Sequence, residues 1–209
     1  MAQATNISTQ AKKMRNLGFT REQYRLRSAE MAVLHQATIT PTKLELVIAH
    51  LDAVPWGGSG EVTMIGGYRF DDPAGRVGVE ALLVTRGDRV LHVPLTYRDA
   101  PLPEADAHLI TTMSHSVLGD RWIYDAAADP VGVDCFTRAL HGDLEQAALE
   151  VHKADGSVVP MDPPVRIRLE GASTGDTILF THDLAEPAIG DARLVAGWDD
   201  GFGVVAALA

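Results

Sequence analysis

From Met31 onward, apolar and polar residues recur with a regular period. Residues 31–39 alternate and read as a strand. Thr42 and Glu45 then form a capping box, in which a hydroxyl and a carboxylate three residues apart satisfy free backbone N–H groups at a helix start. Leu44, Val47, Ile48 and Leu51 fall on one face of that helix, which stops before the connector Pro55-Trp-Gly-Gly-Ser-Gly60. Val62, Met64, Tyr68 and Phe70 alternate again, with Gly66-Gly67 marking a bulge. After the turn Asp71-Asp-Pro-Ala-Gly75 come Val77, Val79, Ala81 and Leu83. Arg86-Gly-Asp88 then makes a tight turn into Leu91, Val93, Leu95 and Tyr97. Connections this short allow only antiparallel pairing. Pro94 has no N–H for a ladder, which predicts that its strand is an edge or bulged.

Residues 98–128 show no period and read as irregular. Asp129-Pro130 starts a second helix, with Asp as N-cap and Pro in the first turn. Val133, Phe136 and Leu140 give its buried face, and Gly142 stops it. Strand patterns follow at 148–152, 165–169, 178–181, 193–198 and 202–208, the last two joined by a hairpin at Asp199-Asp-Gly201. The pattern predicts an α+β fold in which a mainly antiparallel sheet packs on one or two helices.

Composition narrows the picture. The chain has 209 residues, enough for a substantial core, and 46% of them are hydrophobic. No apolar run approaches the length needed to cross a bilayer, and the N-terminus carries no signal-peptide stretch. A single cysteine, Cys135, excludes an intrachain disulfide and a thiolate zinc cage. A cytoplasmic protein without a membrane partner is expected. Net charge is −10, unevenly spread. Residues 1–30 carry Lys12, Lys13, Arg15, Arg21, Arg25 and Arg27 against Glu22 and Glu30, a net of +4, so residues 31–209 carry −14. An acidic body argues against nucleic acid. The basic arm is the exception, through which an acidic or RNA-containing partner would bind. Residues 1–30 read as a flexible extension and 31–209 as the folded domain.

Several short segments, in order, carry a family resemblance. Gly67-Tyr-Arg-Phe-Asp-Asp-Pro73, Val93-Pro-Leu-Thr-Tyr97, Trp122-Ile-Tyr-Asp-Ala126 and Asp129-Pro130 resemble the N-terminal cap domain of maltokinases. The resemblance covers residues 31–140. Residues 145–209 resemble the additional strands of short stand-alone relatives. The family implies a curved antiparallel sheet around a helix, somewhat like cystatins. Maltokinases phosphorylate maltose with ATP in a route linking trehalose to glycogen-like glucans, so the resemblance implies an α-glucan setting.

The chemistry of a kinase is not complete in these residues. His141-Gly-Asp-Leu144 begins like the His-Gly-Asp-Leu-His catalytic loop of related sugar kinases, but Glu145 replaces the second His and no metal-binding Asp-Phe-Asp or Asp-Phe-Glu follows. His141 and Gly142 instead read as a helix stop. Gly57-Gly-Ser-Gly60 lacks the Lys and helix of a phosphate loop. The eight histidines, at 35, 50, 92, 108, 115, 141, 152 and 182, show no metal-ligand spacing. No Gly-x-Ser-x-Gly elbow or barrel of glucan-branching size is present. No catalytic residue, metal or cofactor is expected. Among the aromatics Trp56, Trp122, Trp198, Tyr68, Tyr97 and Tyr124, the pair Trp122 and Tyr124 lies two apart in a strand-like stretch. Flanked by Arg121 and Asp125, the pair is the candidate surface for a partner or glycan.

These readings converge on a non-catalytic, cap-like binding or regulatory protein of α-glucan or trehalose metabolism. Its partner would be kinase-like or glucan-metabolising. Two alternatives stand beside it. One is a cap subunit that completes a separately encoded sugar kinase in trans. The other is an interaction protein that works through its basic arm.

Overall fold

Capping and alternation translate directly into elements. The computed structural model describes residues 32–34, 38–152 and 158–209. In chain order these form β1 (Ala32–Leu34), β2 (Ile39–Thr40), α1 (Lys43–Ala53), β3 (Val62–Asp71), β4 (Gly78–Arg86) and β5 (Arg89–Arg98). A 3-10 turn (Pro103–His108), β6 (Leu109–His115), β7 (Gly119–Asp125) and α2 (Pro130–His141) follow. The chain continues with β8 (Leu149–His152), β9 (Val158–Met161), β10 (Arg166–Gly171), β11 (Ile178–Phe180), β12 (Ala192–Trp198) and β13 (Gly201–Leu208). The basic arm, with Lys12, Lys13, Arg15, Arg21, Arg25 and Arg27, lies outside the described residues.

Both helix starts follow the sequence logic. Thr42 Oγ1 accepts from Glu45 N–H while the Glu45 carboxylate accepts from Thr42 N–H, the reciprocal box. Asp129 caps α2 by accepting from Val131 N–H. Gly142 ends α2 at φ +82°, a left-handed conformation that glycine adopts without a Cβ clash.

Among the described residues three sheets form. The largest is antiparallel, ordered β2-β6-β7-β5-β4-β3, and curls into a half-barrel. Strand alternation gives it two apolar faces. Leu82, Val84, Leu91, Val93, Leu95 and Ile123 pack on Leu46, Val47 and Leu51 of α1. Tyr68, Phe70, Val79, Ala81 and Leu83 face the other way, onto Cys135, Phe136, Ala139 and Leu140 of α2. The same core takes in Ala192, Leu194, Ala196, Val205, Ala206 and Leu208 from a second antiparallel sheet, β10-β12-β13-β11. Buried between a sheet and a helix, these side chains supply the main stabilising term, about 25 cal/mol per Å² of apolar surface removed from water. The observed fold is thus α+β, a curved and mainly antiparallel sheet packed on two helices.

Several expectations need correction. The segment 98–128 is not irregular, since it holds the β6–β7 hairpin. Its period is hidden because Ile110 is an extra residue in the ladder, and because Thr and Ser occupy strand positions. The strand expected over 31–39 is split, with β1 and β2 in different sheets. β1 pairs with β8 in parallel, a long-range match that local connections do not reveal. β9, paired with β8, had no periodic signal. In α1 the buried face is Leu46, Val47 and Leu51, while Leu44 is exposed.

Pro94 is the most instructive correction. β5 is an interior strand, with β4 along one side and β7 along part of the other. The missing N–H falls at a seam. Pro94 C=O accepts from Ala126 N–H, and two residues earlier His92 N–H donates to His182 C=O. Two different segments therefore meet the same flank of β5, one on each side of the proline.

Candidate functional site

The sequence-selected patch lies on β7, where alternation divides it. Trp122 and Tyr124 point to one face, as expected, and pack with Leu102, Ala105 and Leu109 of the turn that precedes β6. Ile123 belongs to the opposite face, beneath α1. Arg121 and Asp125 share the parity of Ile123 and fall on that opposite face. The four residues therefore do not make one surface, because neighbours in a strand point to opposite sides. Tyr124 is fully buried, at 0% exposure, and its hydroxyl accepts from Leu102 N–H at 2.8 Å. It is a core residue that fixes the 3-10 turn. Arg121 donates to Asp120 C=O, and Asp125 accepts from Ala127 N–H, so each serves the local backbone.

Trp122 is different, being only half-buried. Across the ladder it pairs with Arg98 on one side and exposed Thr112 on the other. Arg98 is locked in place, since its Nε and Nη2 each reach an oxygen of Asp129 at 2.6 Å. Thr96 Oγ1 donates to the same carboxylate at 2.6 Å. Burial pushes the Asp129 carboxyl up, but the bonds from Arg98, Thr96 and Val131 N–H outweigh it and hold the group below the usual carboxylate range. The same hydrogen bonds raise Arg98. The result is a fixed shelf of one half-exposed indole and one oriented guanidinium. Such a shelf can stack on an apolar ring face and hydrogen-bond to hydroxyl or carbonyl oxygens.

The kinase-like sequence has a structural job. His141 is the last residue of α2, Gly142 is its left-handed cap, and Asp143 N–H donates to Arg138 C=O at 2.8 Å. His141 and Asp143 are exposed on the α2 stop. Among the described residues no group of three His, Cys, Asp or Glu side chains is placed to hold a metal ion.

The buried histidine is also structural. His92 Nδ1–H donates to Thr181 C=O at 2.8 Å, so its Nε2 accepts from the Tyr68 hydroxyl at 2.9 Å. Burial lowers the His92 imidazole to about 3, so it is neutral at any physiological pH. Burial likewise pushes the Cys135 thiol up to about 12, which removes it as a nucleophile.

Sequence reasoning missed one arrangement. The Trp56 ring stacks on His182 at 4.2 Å and meets His50 edge-on at 5.6 Å. Arg89 donates to Asp183 at 2.8 Å and to Trp56 C=O at 3.0 Å. This layer ties the Pro55–Gly60 connector, β5 and the residues after β11 together. No local pattern signals it, because Trp56 and the His182 it stacks on lie over a hundred residues apart.

No curated protein and no solved structure matches the chain. Residues 51–129 match the family model of the maltokinase N-terminal cap domain. That stretch, less than half of the chain, runs from the last turn of α1 through the curled sheet to the Asp129 that locks Arg98, and across it the chain is similar to the maltokinase N-terminal cap domain.

Proposed function

We propose that this protein is a non-catalytic, cap-like module that binds or regulates a kinase-like or glucan-metabolising partner in α-glucan or trehalose metabolism, within the cytoplasm. One observation carries the reading beyond the family match. The single stretch with kinase-loop character, His141–Leu144, is consumed as the C-terminal stop of α2. Among the described residues no helix is long and apolar enough to cross a membrane, which fits a partner met in water. The cap unit in this reading runs from Met31 to the end of α2, with residues 145–209 as added strands sharing its core.

The contact surface is assigned to the Trp122 shelf, with Arg98 and Thr112 beside it, in place of the divided set Arg121, Trp122, Tyr124 and Asp125. A partner protein or a glycan would lie on the indole. Co-purification from native cells tests the reading, with the wild type and Trp122→Ala compared side by side. The wild type is expected to retain a kinase-like or glucan-active protein, and the variant to lose it by more than about tenfold. Incubation with ATP, magnesium and maltose is expected to yield no sugar phosphate. Activity that disappears with Asp143→Asn would overturn the non-catalytic reading. Phosphotransfer arising only on mixing with the co-purified partner would favour a cap subunit acting in trans.

A further inference from the structure

One indole with a polar border limits what can lie on the Trp122 shelf, and strand alternation fixes that border. Thr112 pairs with Trp122 and Ser114 with Asp120 across the β6–β7 ladder, so all four side chains share one face. Thr112, Ser114 and Asp120 are exposed. On the other flank of Trp122 stands Arg98, its cross-strand neighbour in β5. Asp129 holds Nε and Nη2 of Arg98, while among the described residues Nη1 meets no acceptor. After the Asp129 hydrogen bonds, the exposed Glu104 carboxylate on the 3-10 turn also raises Arg98, which places it near the guanidinium. Neighbouring strands lie about 5 Å apart, and side chains on one face repeat about every 7 Å. The indole therefore has a guanidinium donor on one side and a hydroxyl on the other. A hydroxyl and a carboxylate follow one step along the strands.

Charge disfavours an anion here. The Asp129 carboxylate already balances Arg98, and Asp120 and Glu104 add two further negative charges. A protein hot spot is ringed by packed groups that keep water out, whereas this single ring is bordered by hydroxyls, a carboxylate and a guanidinium. An uncharged pyranose suits both conditions. Its C–H face covers one aromatic ring, and its hydroxyls project sideways, where they donate to Asp120, exchange bonds with Thr112 and Ser114, and accept from Arg98 Nη1. The shelf is set before a ligand arrives, because Asp129 fixes the guanidinium and Trp122 packs against the 3-10 turn, which lowers the ordering cost of binding. Resting on the assignment of the contact surface to Trp122, we propose that the shelf is a subsite for one uncharged pyranose ring of an oligosaccharide, stacked on the indole with its hydroxyls bound by Arg98, Thr112, Ser114 and Asp120. A glucan-active partner is then held through a shared glycan, not by direct contact.

Isothermal titration of the full chain with maltoheptaose and with cellohexaose tests this, with hexagalacturonate as the anionic counterpart. A neutral oligosaccharide is expected to bind saturably, and the acidic one more weakly by about tenfold or more. In heteronuclear NMR spectra the sugar should shift the indole N–H of Trp122 and leave those of Trp56 and Trp198 in place. Trp122→Ala should weaken binding by more than about tenfold. Asp120→Ala and Ser114→Ala, at exposed positions that do not endanger folding, should each weaken it by about threefold to tenfold, and Asp120→Asn, which keeps an acceptor, by less. No saturable binding of a neutral oligosaccharide, tighter binding of hexagalacturonate, or binding that Trp122→Ala leaves unchanged would overturn the proposal. A protein partner lost with Trp122→Ala but not displaced by competing oligosaccharide would also overturn it, while leaving the binding or regulatory reading in place. Oligosaccharide bound at Trp122 with no protein retained would uphold the subsite and remove that reading.

Discussion

Replacing Asp129 with alanine should be among the most damaging single changes outside the apolar core, and the structure sets the size of the effect. The carboxylate is fully buried and serves four donors from three places: Arg98 twice, Thr96 and the first turn of α2. Loss of an N-cap alone costs about 1 kcal/mol. Removing one partner of a buried ion pair costs about 3–5 kcal/mol, because the other charge is left without compensation. Arg98 keeps 19% of its side chain in contact with water, which moderates that cost. A total of about 3 kcal/mol follows, a large share of the roughly 5–15 kcal/mol that holds a domain together. Urea unfolding read by Trp fluorescence should show the midpoint falling by about 1.5 M for a slope near 2 kcal/mol/M. Asp129→Asn keeps the cap and should lose less. Pairing Asp129→Ala with Arg98→Met removes the stranded charge and should recover part of the loss. The acid dependence has a definite sign. The Asp129 pKa is lowered on folding, so its contribution is full above the ordinary carboxylate value of 3.8 and is lost as pH falls through the lowered folded value. A change below about 1 kcal/mol in Asp129→Ala would refute the claim that this carboxylate locks β5 to α2.

His92 makes a second acid-sensitive contribution. Its imidazole is neutral in the fold, with a pKa of about 3 against 6.5 in the open chain, so the unfolded state takes up a proton first. Stability should therefore be full above pH 6.5 and fall as pH drops toward 3, by about 1.4 kcal/mol per pH unit, a slope that His92→Asn flattens. Trp122→Ala and Tyr124→Phe should separate by role. The first should cost about 1 kcal/mol in thermal stability while abolishing partner retention. The second leaves Leu102 N–H without its acceptor and should cost about 1–3 kcal/mol while sparing binding. A chain starting at Met31 should keep the thermal midpoint within a few degrees, as differential scanning calorimetry can check. A large drop would show that the basic arm belongs to the core.

Elements governed by local chemistry were legible from the residues alone. The Thr42–Glu45 box, the Asp129 cap and the Gly142 stop each depend on side chains within four positions of the backbone groups they satisfy. The β3–β4–β5 meander was legible for a similar reason, since its turns are short and its alternation is deep. The likeness to the maltokinase cap was also carried by short segments in order, and it did not require the fold. Other features depended on which distant segment came to lie alongside. Pro94 could occupy an interior strand only because two separate segments flank β5 and leave a gap at its nitrogen. The parallel pairing of β1 with β8 and the stacking of Trp56 on His182 join residues over a hundred positions apart, and no periodicity encodes such a meeting. The candidate site shows the same division. Sequence placed Trp122 and Tyr124 on one face, because side-chain alternation is a property of the strand itself. The same alternation sends Arg121 and Asp125 to the other face, whereas burial of Tyr124 beneath the 3-10 turn was decided by packing, because what covers each side of a strand is set by the rest of the chain.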